Sequence, residues 1–307
     1  MSKPAAGRLP APRLRQRRSL WELIEPWVYL SPSLVLLGIF VFYPLLRSVY
    51  LSVYLTDLLG RPKVLVGAQN FIDAFTGAEF LHSLSMTTLF VIYTVPLGIL
   101  AGLVLAILAN RELRGIKFFQ LIFSSPLAIS VTTGSLIFMM MYNPVSGLFN
   151  YVLSLAGLPK VNWLVDPKWA LFSVGLVSIW LRLGFNFILM ISGLQNVPQE
   201  LYEAARVDGA NELRQIWHIT LPMLSPTIFF AAVVGVINAF QAFGEIDIMT
   251  SGGPAGSTNV IVYQVFQDAF KQFQFGSASA QALILFAVIM VLTYFQFKLG
   301  ERRVHYQ

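Results

Sequence analysis

The sequence predicts an all-α membrane protein that crosses the bilayer with six helices. Of the 307 residues, 56% are hydrophobic and only 12% are charged, and the mean hydropathy is +0.67. Soluble domains carry roughly 25% charged residues, which argues against a large soluble helical protein. A helix needs roughly 20 apolar residues to span a bilayer, and six runs approach or exceed that length. We predict spans at residues 28–54, 84–109, 118–142, 169–194, 223–247 and 277–299.

We interpret these runs as helices because backbone groups inside lipid must form their hydrogen bonds within one segment. A transmembrane barrel would instead show segments of about ten residues in which apolar and polar side chains alternate. The six runs do not alternate in this way. A helical bundle is therefore the predicted architecture.

Composition excludes several kinds of site. The chain has no cysteine, which excludes disulfides, cysteine-bound zinc and thiol catalysis. Its three histidines, His82, His218 and His305, are too far apart to show the spacing of metal ligands. The sequence also lacks the Gly-x-x-x-x-Gly-Lys-Ser/Thr loop that binds nucleotide phosphates. We predict no catalytic residue, no metal and no cofactor bound by this chain.

The basic residues predict the orientation, because Lys and Arg are retained on the cytoplasmic side of a membrane. Six precede the first span, and the predicted outer loops hold only five of the 21. Both termini are therefore expected in the cytoplasm, as a tail at 1–27 and a tail at 300–307 around the span domain 28–299. The net charge of +6 is accounted for by basic residues that meet anionic lipid, so no nucleic-acid partner is predicted.

Two predicted outer stretches, 55–83 and 143–168, are longer than a tight turn requires. Both mix aromatic residues with turn residues and are expected to form short helices on the outer face. They could dock an extracytoplasmic partner or simply connect two spans, and the sequence leaves both open.

The predicted cytoplasmic loop 195–222 has 28 residues, more than two adjacent spans need. Pro198 suits the first turn of a helix, and Gly209 suits the left-handed residue that ends one. A second helix follows, with an apolar stripe and with Pro222 opening the next span. The stripe comprises Leu213, Ile216, Trp217, Thr220 and Leu221.

The charge of this loop favours contact with a protein. Small side chains at Ala204 and Ala205 let another surface approach closely, while Glu203, Arg206 and Asp208 are free to pair with it. A helix that merely lies on lipid headgroups would be mainly basic on its polar face. Here four acidic residues accompany only two basic ones.

The loop also carries a motif. Glu203-Ala204-Ala205 is followed after three residues by Gly209, and after nine more by the sequence Ile-Thr-Leu-Pro at 219–222. This pattern resembles the signature loop of permease subunits in binding-protein-dependent ABC importers. The stretches "LSPSLVLLGIFVFYPLLRSVYLSV" and "TSGGPAGSTNVIVYQVFQDAF" are similar to the carbohydrate-uptake, maltose-permease branch, and the ending "FQFKLGERRVHYQ" is similar to sn-glycerol-3-phosphate permease subunits.

The resemblance implies a MetI-like permease fold in the plasma or inner membrane of a bacterium or archaeon. It implies four protein partners: a second homologous permease, two ABC ATPase subunits that bind ATP and Mg²⁺, and an extracytoplasmic solute-binding protein. The loop would then form a coupling helix in a groove of the ATPase. The implied coupling residues are Glu203, Ala204, Ala205, Asp208, Gly209, Ile219, Leu221 and Pro222.

Polar residues at bilayer depth are functional candidates because burying them in lipid is costly. Asn238, Gln241 and Glu245 follow i, i+3, i+7 spacing on the predicted fifth span, and Arg182 and Asn186 are four apart on the fourth. They could line a solute path, although Asn and Gln could instead tie helices together and Arg182 could pair with Glu245. Nearby aromatic residues that would suit a sugar ring are Trp180, Phe240 and Phe243.

The cargo stays open between a carbohydrate and glycerol phosphate. Arg182 would serve a phosphate, but family members often carry a cation one position earlier, where this chain has Leu181. The alternative function is a self-sufficient secondary transporter or channel, for which we find no inverted repeat between 1–150 and 151–307. A membrane enzyme is disfavoured because no cluster of His and acidic residues lies within the spans.

Overall fold

The computed structural model describes residues 20–110 and 114–300. Most of the predicted cytoplasmic tails, 1–19 and 301–307, lie outside the described residues. The chain divides into two compact units, 1–48 and 49–307. The described part is mainly helical, as predicted, and it contains one small β-hairpin.

The first unit consists of helix α1 (Leu20–Leu37), a five-residue π-helical segment (Gly38–Phe42) and the start of helix α2 (Tyr43–Leu51). In the π segment the Tyr43 N–H bonds to the Gly38 carbonyl, one residue further back than in an α-helix. Pro44 accounts for this widening, because proline lacks the N–H that would continue the α-helical ladder. Together these segments form one apolar stretch, Ile24–Leu51, that is long enough to cross a membrane.

The second unit opens with a hairpin that the sequence analysis does not predict. Strands β1 (Tyr54–Thr56) and β2 (Pro62–Leu65) pair antiparallel. Asp57 closes the turn, since its Oδ1 accepts hydrogen bonds from the backbone N–H groups of Arg61 at 2.8 Å and Leu59 at 3.0 Å. The Arg61 bond is the main reason that the pKa of Asp57 lies below its usual value. Helix α3 (Gln69–Thr76) follows the hairpin.

Two long helices, α4 (Ala78–Ala109) and α8 (Pro167–Gln195), pack closely along their length. Glycine permits this: a Cβ at Gly102 would lie 2.6 Å from the Asn186 Cβ and 2.9 Å from its backbone carbon. Small residues at such contacts let membrane helices approach until their backbones touch. This pair therefore forms the centre of the bundle.

The predicted span 118–142 is not one continuous helix. Helix α5 (Ile116–Ser124) leads through a 3₁₀ turn to helix α6 (Val131–Met141), and the two segments meet at 103°. Pro126 interrupts the helical hydrogen bonds, and Ser130 caps the new helix by accepting from the Thr133 N–H at 3.1 Å. The apolar run thus predicts a bilayer-length segment but not its bend.

The predicted fifth span also differs from expectation. A helical run from α10 (Glu212–Gln215) through α11 (Leu221–Met223) is separated at Leu224 from α12 (Ser225–Phe240), with a bend of 65°. Pro222 therefore lies inside the first run rather than opening the span. Helix α12 ends at Phe240, seven residues before the predicted end, and a turn leads to the short helix α13 (Gly244–Met249).

The remaining described helices are α7 (Leu148–Leu155) in the predicted outer stretch, α9 (Gln199–Val207) in the predicted cytoplasmic loop, α14 (Ile261–Phe266) and α15 (Phe275–Gly300). Within the described residues, four helical segments are long and apolar enough to cross a membrane, or up to six if each bent pair is one span. Two buried clusters hold the second unit together. The larger includes Phe90, Val174 and Ile246, and the other includes Phe187, Met190 and Leu224.

One buried side chain, Asn150, fixes the predicted outer stretch 143–168. It is 1% exposed, donates to the carbonyls of Pro144 at 3.1 Å and Val161 at 3.0 Å, and accepts from the Val161 N–H and the Trp163 Nε1–H. Three of these bonds satisfy backbone groups of the loop, and the fourth satisfies the indole N–H of Trp163.

We expect Asn150→Ala to destabilise this segment by about 2–4 kcal/mol, because buried polar groups left without partners cost about 1–3 kcal/mol each. Proteolysis of the purified complex in detergent should cut 143–166 faster, with a lowered melting temperature. Asn162→Ala is the control, since the Asn162 side chain is exposed in the same segment. Equal cleavage rates in both variants would contradict this role.

Candidate functional site

The first candidate site is the helix–turn–helix between α8 and α12. Helix α9 ends in a Schellman turn, in which the Ala210 N–H bonds to the Ala205 carbonyl at 2.9 Å and the Gly209 N–H bonds to the Arg206 carbonyl at 3.1 Å. Gly209 has a φ of +78°, a backbone conformation that favours glycine. The motif glycine therefore has a defined structural role, because it reverses the chain after α9.

Side-chain hydrogen bonds also fix the chain after the turn. The Asn211 side chain caps α10 by accepting from the Arg214 N–H at 2.9 Å, and the Gln215 amide donates to the Ala210 carbonyl at 3.0 Å. A hydrogen bond of 3.0 Å between the Tyr202 and Thr220 hydroxyls joins α9 to the segment that follows. The first arm of the turn (α9) and the second arm (residues 211–223) are thus connected at the end nearer the membrane helices, which we call the base.

This base is packed against the membrane-crossing helices. Leu224, at the bend before α12, is fully buried, and a Cβ at Gly193 of α8 would lie 2.6 Å from its Cδ2. The contact places the end of α8 directly against the start of α12. The base of the turn is therefore in contact with both helices.

The predicted coupling residues divide into two groups. Glu203, Ala204, Asp208 and Gly209 are exposed at the turn, and Ala205 is half-buried beside them. Ile219, Leu221 and Pro222 are half-buried in the second arm. The first group forms a surface that another protein can reach, which we call the turn surface, and the second group supports it.

The predicted apolar stripe in the second arm is only partly packed. Ile216 and Leu221 are half-buried and Thr220 is buried, but Leu213 and Trp217 are 66% and 67% exposed. The π-helical geometry of 216–220 explains the split, because it adds a residue to the turn and rotates the stripe. Leu213 and Trp217 thus leave an exposed apolar pair on the second arm.

The second candidate site is a polar cluster between α8 and α13. Arg182 Nη2 lies 3.7 Å from Oε1 of the buried Glu245, so the pairing considered from the sequence is confirmed. Ser178 donates to the same oxygen at 2.9 Å, and Arg182 also donates to Ser178 Oγ and to the Asn238 carbonyl, both at 3.3 Å. The carboxylate thus has two partners.

Two cavities meet at this cluster. The first, of about 420 Å³, is lined by the predicted residues Asn238, Gln241, Phe243 and Glu245. Because α12 ends at Phe240, Asn238, Gln241 and Glu245 do not share one helical face as predicted. The turn before Gly244 brings them to the same cavity instead. The second cavity, of about 200 Å³, is lined by Asn186. Arg182 and Asn238 line both cavities.

Two predicted aromatic residues lie away from these cavities. Phe240 is 4% exposed and packs in the larger core cluster, while Trp180 is half-buried with its ring 5.0 Å from that of Phe138. Both were predicted because they lie close in sequence to the polar residues, and closeness in sequence does not decide which side of a helix a ring lies on.

The cavities also have walls that the sequence analysis does not identify. Thr94 and Gly98 of α4 line the smaller cavity, and Pro126 lines the larger one. The Ser-Ser-Pro sequence at 124–126 is the available signal for the bend that brings Pro126 here. Thr94 gives no comparable signal, because it is one of five serines and threonines between residues 83 and 94 of α4.

A third polar group lies near the start of α15. Asp268 is buried and accepts hydrogen bonds from the amides of Gln281 at 2.6 Å and Gln264 at 2.8 Å. Burial raises the pKa of Asp268, while these two bonds oppose the rise. In the described part of the chain, no three His, Cys, Asp or Glu residues are grouped to hold a metal ion.

Comparisons with known proteins agree with this architecture. Residues 74–306 match the family described as binding-protein-dependent transport system inner membrane component. The chain is 37% identical over 286 residues to the sn-glycerol-3-phosphate transport system permease protein UgpA of Brucella suis, covering 92% of this chain and 97% of that one. UgpA of Rhizobium meliloti is 36% identical with the same coverage, and UgpA of Yersinia pestis is 32% identical over 283 residues, with coverage of 92% and 96%.

Solved structures share the fold. A bacterial alginate ABC transporter, crystallised in complex with an alginate pentasaccharide-bound periplasmic protein, contains a chain that superposes with a TM-score of 0.81 at 23% identity, covering 92% of this chain and 97% of that one. A second structure of a bacterial ABC transporter, involved in the import of the acidic polysaccharide alginate, gives 0.80 at 24% identity, with coverage of 92% and 98%.

The predicted permease resemblance is therefore confirmed, and so is the predicted helical membrane fold, apart from the β1–β2 hairpin. This chain belongs to the family of binding-protein-dependent transport system inner membrane components.

Proposed function

We propose that this chain is the permease subunit of an ATP-driven importer for sn-glycerol-3-phosphate or a carbohydrate. It would cross the membrane six times with both termini in the cytoplasm. An extracytoplasmic binding protein would deliver the solute, as the word binding-protein-dependent in the family description suggests. The relatives named for sn-glycerol-3-phosphate transport support that solute as the first to be tested.

The observation that carries the proposal is the geometry of the turn surface. Its residues are exposed, yet the segment beneath them is fixed by the Schellman turn, the Asn211 cap and the Tyr202–Thr220 bond. A segment that is accessible but rigid suits the transfer of force from a separate protein. Two ABC ATPase subunits would bind this surface and its counterpart on a second permease, and ATP and Mg²⁺ would bind to those ATPase subunits alone.

The packing at the base of the turn supports a route for that force. Movement of α9 would be transmitted through Leu224 and Gly193 to the ends of α12 and α8. These two helices also carry Asn238 and Arg182, which line both cavities. Nucleotide binding would thereby change the access of the solute path to each side of the membrane.

The solute path would pass Arg182, with Asn186, Asn238, Gln241 and Glu245 as its polar lining. Amides and carboxylates suit the hydroxyl groups of a sugar or polyol, and Phe243 offers an aromatic face. A phosphate would bind Arg182 directly, which requires Glu245 to give up part of its contact with the guanidinium. Asn238 and Gln241 are exposed in the single chain, which fits their being covered by a second permease subunit.

The test is solute uptake by proteoliposomes that hold the complete importer. The chain is co-purified with its second permease and ATPase subunits, and the binding protein is added outside with labelled sn-glycerol-3-phosphate, a monosaccharide or an oligosaccharide. We expect uptake of one solute class that requires both ATP inside and the binding protein. Uptake by this chain alone, driven by an ion gradient, would instead identify a secondary transporter.

A further inference from the structure

We infer that one face of helix α7 lies in the interface of the lipid bilayer and anchors the 143–166 segment to it. The face consists of four apolar side chains at i, i+3, i+4 and i+7 spacing: Leu148, Tyr151, Val152 and Leu155. We call it the outward α7 face. The inference needs only a membrane-embedded chain and is independent of the proposed cargo and coupling.

These side chains are between 49% and 71% exposed and include no charge. The opposite side of α7 is already packed, since Phe149 lies on Tyr142 and Trp163 and Asn150 is buried. Four exposed large side chains are unfavourable in water, because each one that is fully exposed forgoes about 1.5–3 kcal/mol of burial. The outward α7 face therefore needs cover.

The position of α7 indicates what covers it. Asn150 bonds α7 to Val161 and Trp163, and the Trp163 ring lies 5.9 Å from that of Trp169. Trp169 is in the first turn of α8, a segment long and apolar enough to span the membrane. Tryptophan at the end of a span marks the depth of the lipid headgroups. Helix α7 is thus held at the level where α8 enters the bilayer.

The chemistry of the face favours lipid over a protein. A docked solute-binding protein would bring polar and charged groups, as non-obligate interfaces do. The outward α7 face itself offers them only the Tyr151 hydroxyl, and Ser154 and Lys160 lie at its edge, where they line a cavity with Tyr151. Trp169 and Phe172, at the start of α8, are exposed aromatic residues as well, and their ring centroids lie 6.3 Å apart. An apolar helix face buried about 5–10 Å into the headgroup boundary satisfies both features.

The test uses single-cysteine variants of this chain, which itself has no cysteine, assembled with other subunits whose cysteines have been replaced. Tyr151→Cys and Leu155→Cys carry a nitroxide spin label in the complete importer, reconstituted in phosphatidylethanolamine–phosphatidylglycerol vesicles. Lys160→Cys, at an exposed charged position beyond α7, is the water-facing control. Collision rates with oxygen, which concentrates in lipid, are compared with those of a water-soluble nickel chelate.

We expect the ratio of oxygen to nickel collisions at 151 and 155 to exceed that at 160 at least severalfold, with or without the binding protein. Nickel access at 151 and 155 equal to that at 160 would overturn the inference. So would protection of both positions only after the binding protein is added, since a protein would then be the cover. A label inaccessible to both reagents would also contradict it, because burial against the second permease would explain that result.

Discussion

Gly209→Val should reduce ATP-dependent uptake about tenfold or more while the protein still inserts into the membrane. Gly209 has a φ of +78°, where a β-branched residue is a genuine outlier. Strain of about 1–3 kcal/mol is expected if valine is held there. No atom lies within 4 Å of a Cβ at this position, so the effect would come from the backbone and not from a clash. The turn would rearrange and displace Glu203, Ala204 and Asp208.

Gly209→Asn is the matched control, because asparagine visits the left-handed conformation at low cost. It should retain most of the uptake, although it adds a side chain where glycine has none. Uptake is measured in proteoliposomes with equal amounts of each variant, together with the amount of ATPase that co-purifies. Equal uptake by the valine variant and the wild type would show that the turn does not transmit force.

Arg182→Met should destabilise the assembled importer. Glu245 is buried, and Arg182 is its only ion-pair partner in the described part of the chain. Removing one member of a buried ion pair costs about 3–5 kcal/mol, because the remaining charge is left uncompensated. The cost is at the lower end here, since the Arg182 side chain is 32% exposed. We expect a lower yield and a lower melting temperature in detergent.

The double variant Arg182→Met/Glu245→Gln separates folding from transport. It removes both charges and keeps a carbonyl oxygen that can accept from Ser178, so assembly should recover. Transport of a phosphate ester should remain lost, whereas a neutral carbohydrate would still pass if its binding depends on the amides. A melting temperature for Arg182→Met equal to that of the wild type would contradict the structural role of the pair.

The sequence predicts the long helices well because bilayer length and apolarity decide them together. The long spans and the turn at Gly209 follow from features whose physical effects are local, namely apolar runs and a glycine suited to the left-handed conformation. The charge balance of the predicted loop likewise predicts an exposed segment. These features do not depend on how distant parts of the chain meet.

Bends and helix ends could not be predicted in the same way. Hydropathy cannot separate α5 from α6, because both halves of the 103° bend are apolar. Counting along one helix assigns Glu245 to the same face as Asn238, but that helix ends at Phe240. The true position of Glu245 depends on Ser178 and Arg182 of a different helix. The β1–β2 hairpin escapes prediction because its strands are only three and four residues long.

The most direct measurement is crosslinking from the turn surface in native membranes. Ala204→Cys provides one exposed thiol, which is labelled with a benzophenone and irradiated while the importer is active. If the turn surface receives force from the motor protein, the label will capture an ATPase subunit, and Lys160→Cys treated in the same way will not. Capture of no ATPase from position 204 in vesicles that transport normally, or capture from position 160 instead, would contradict that role.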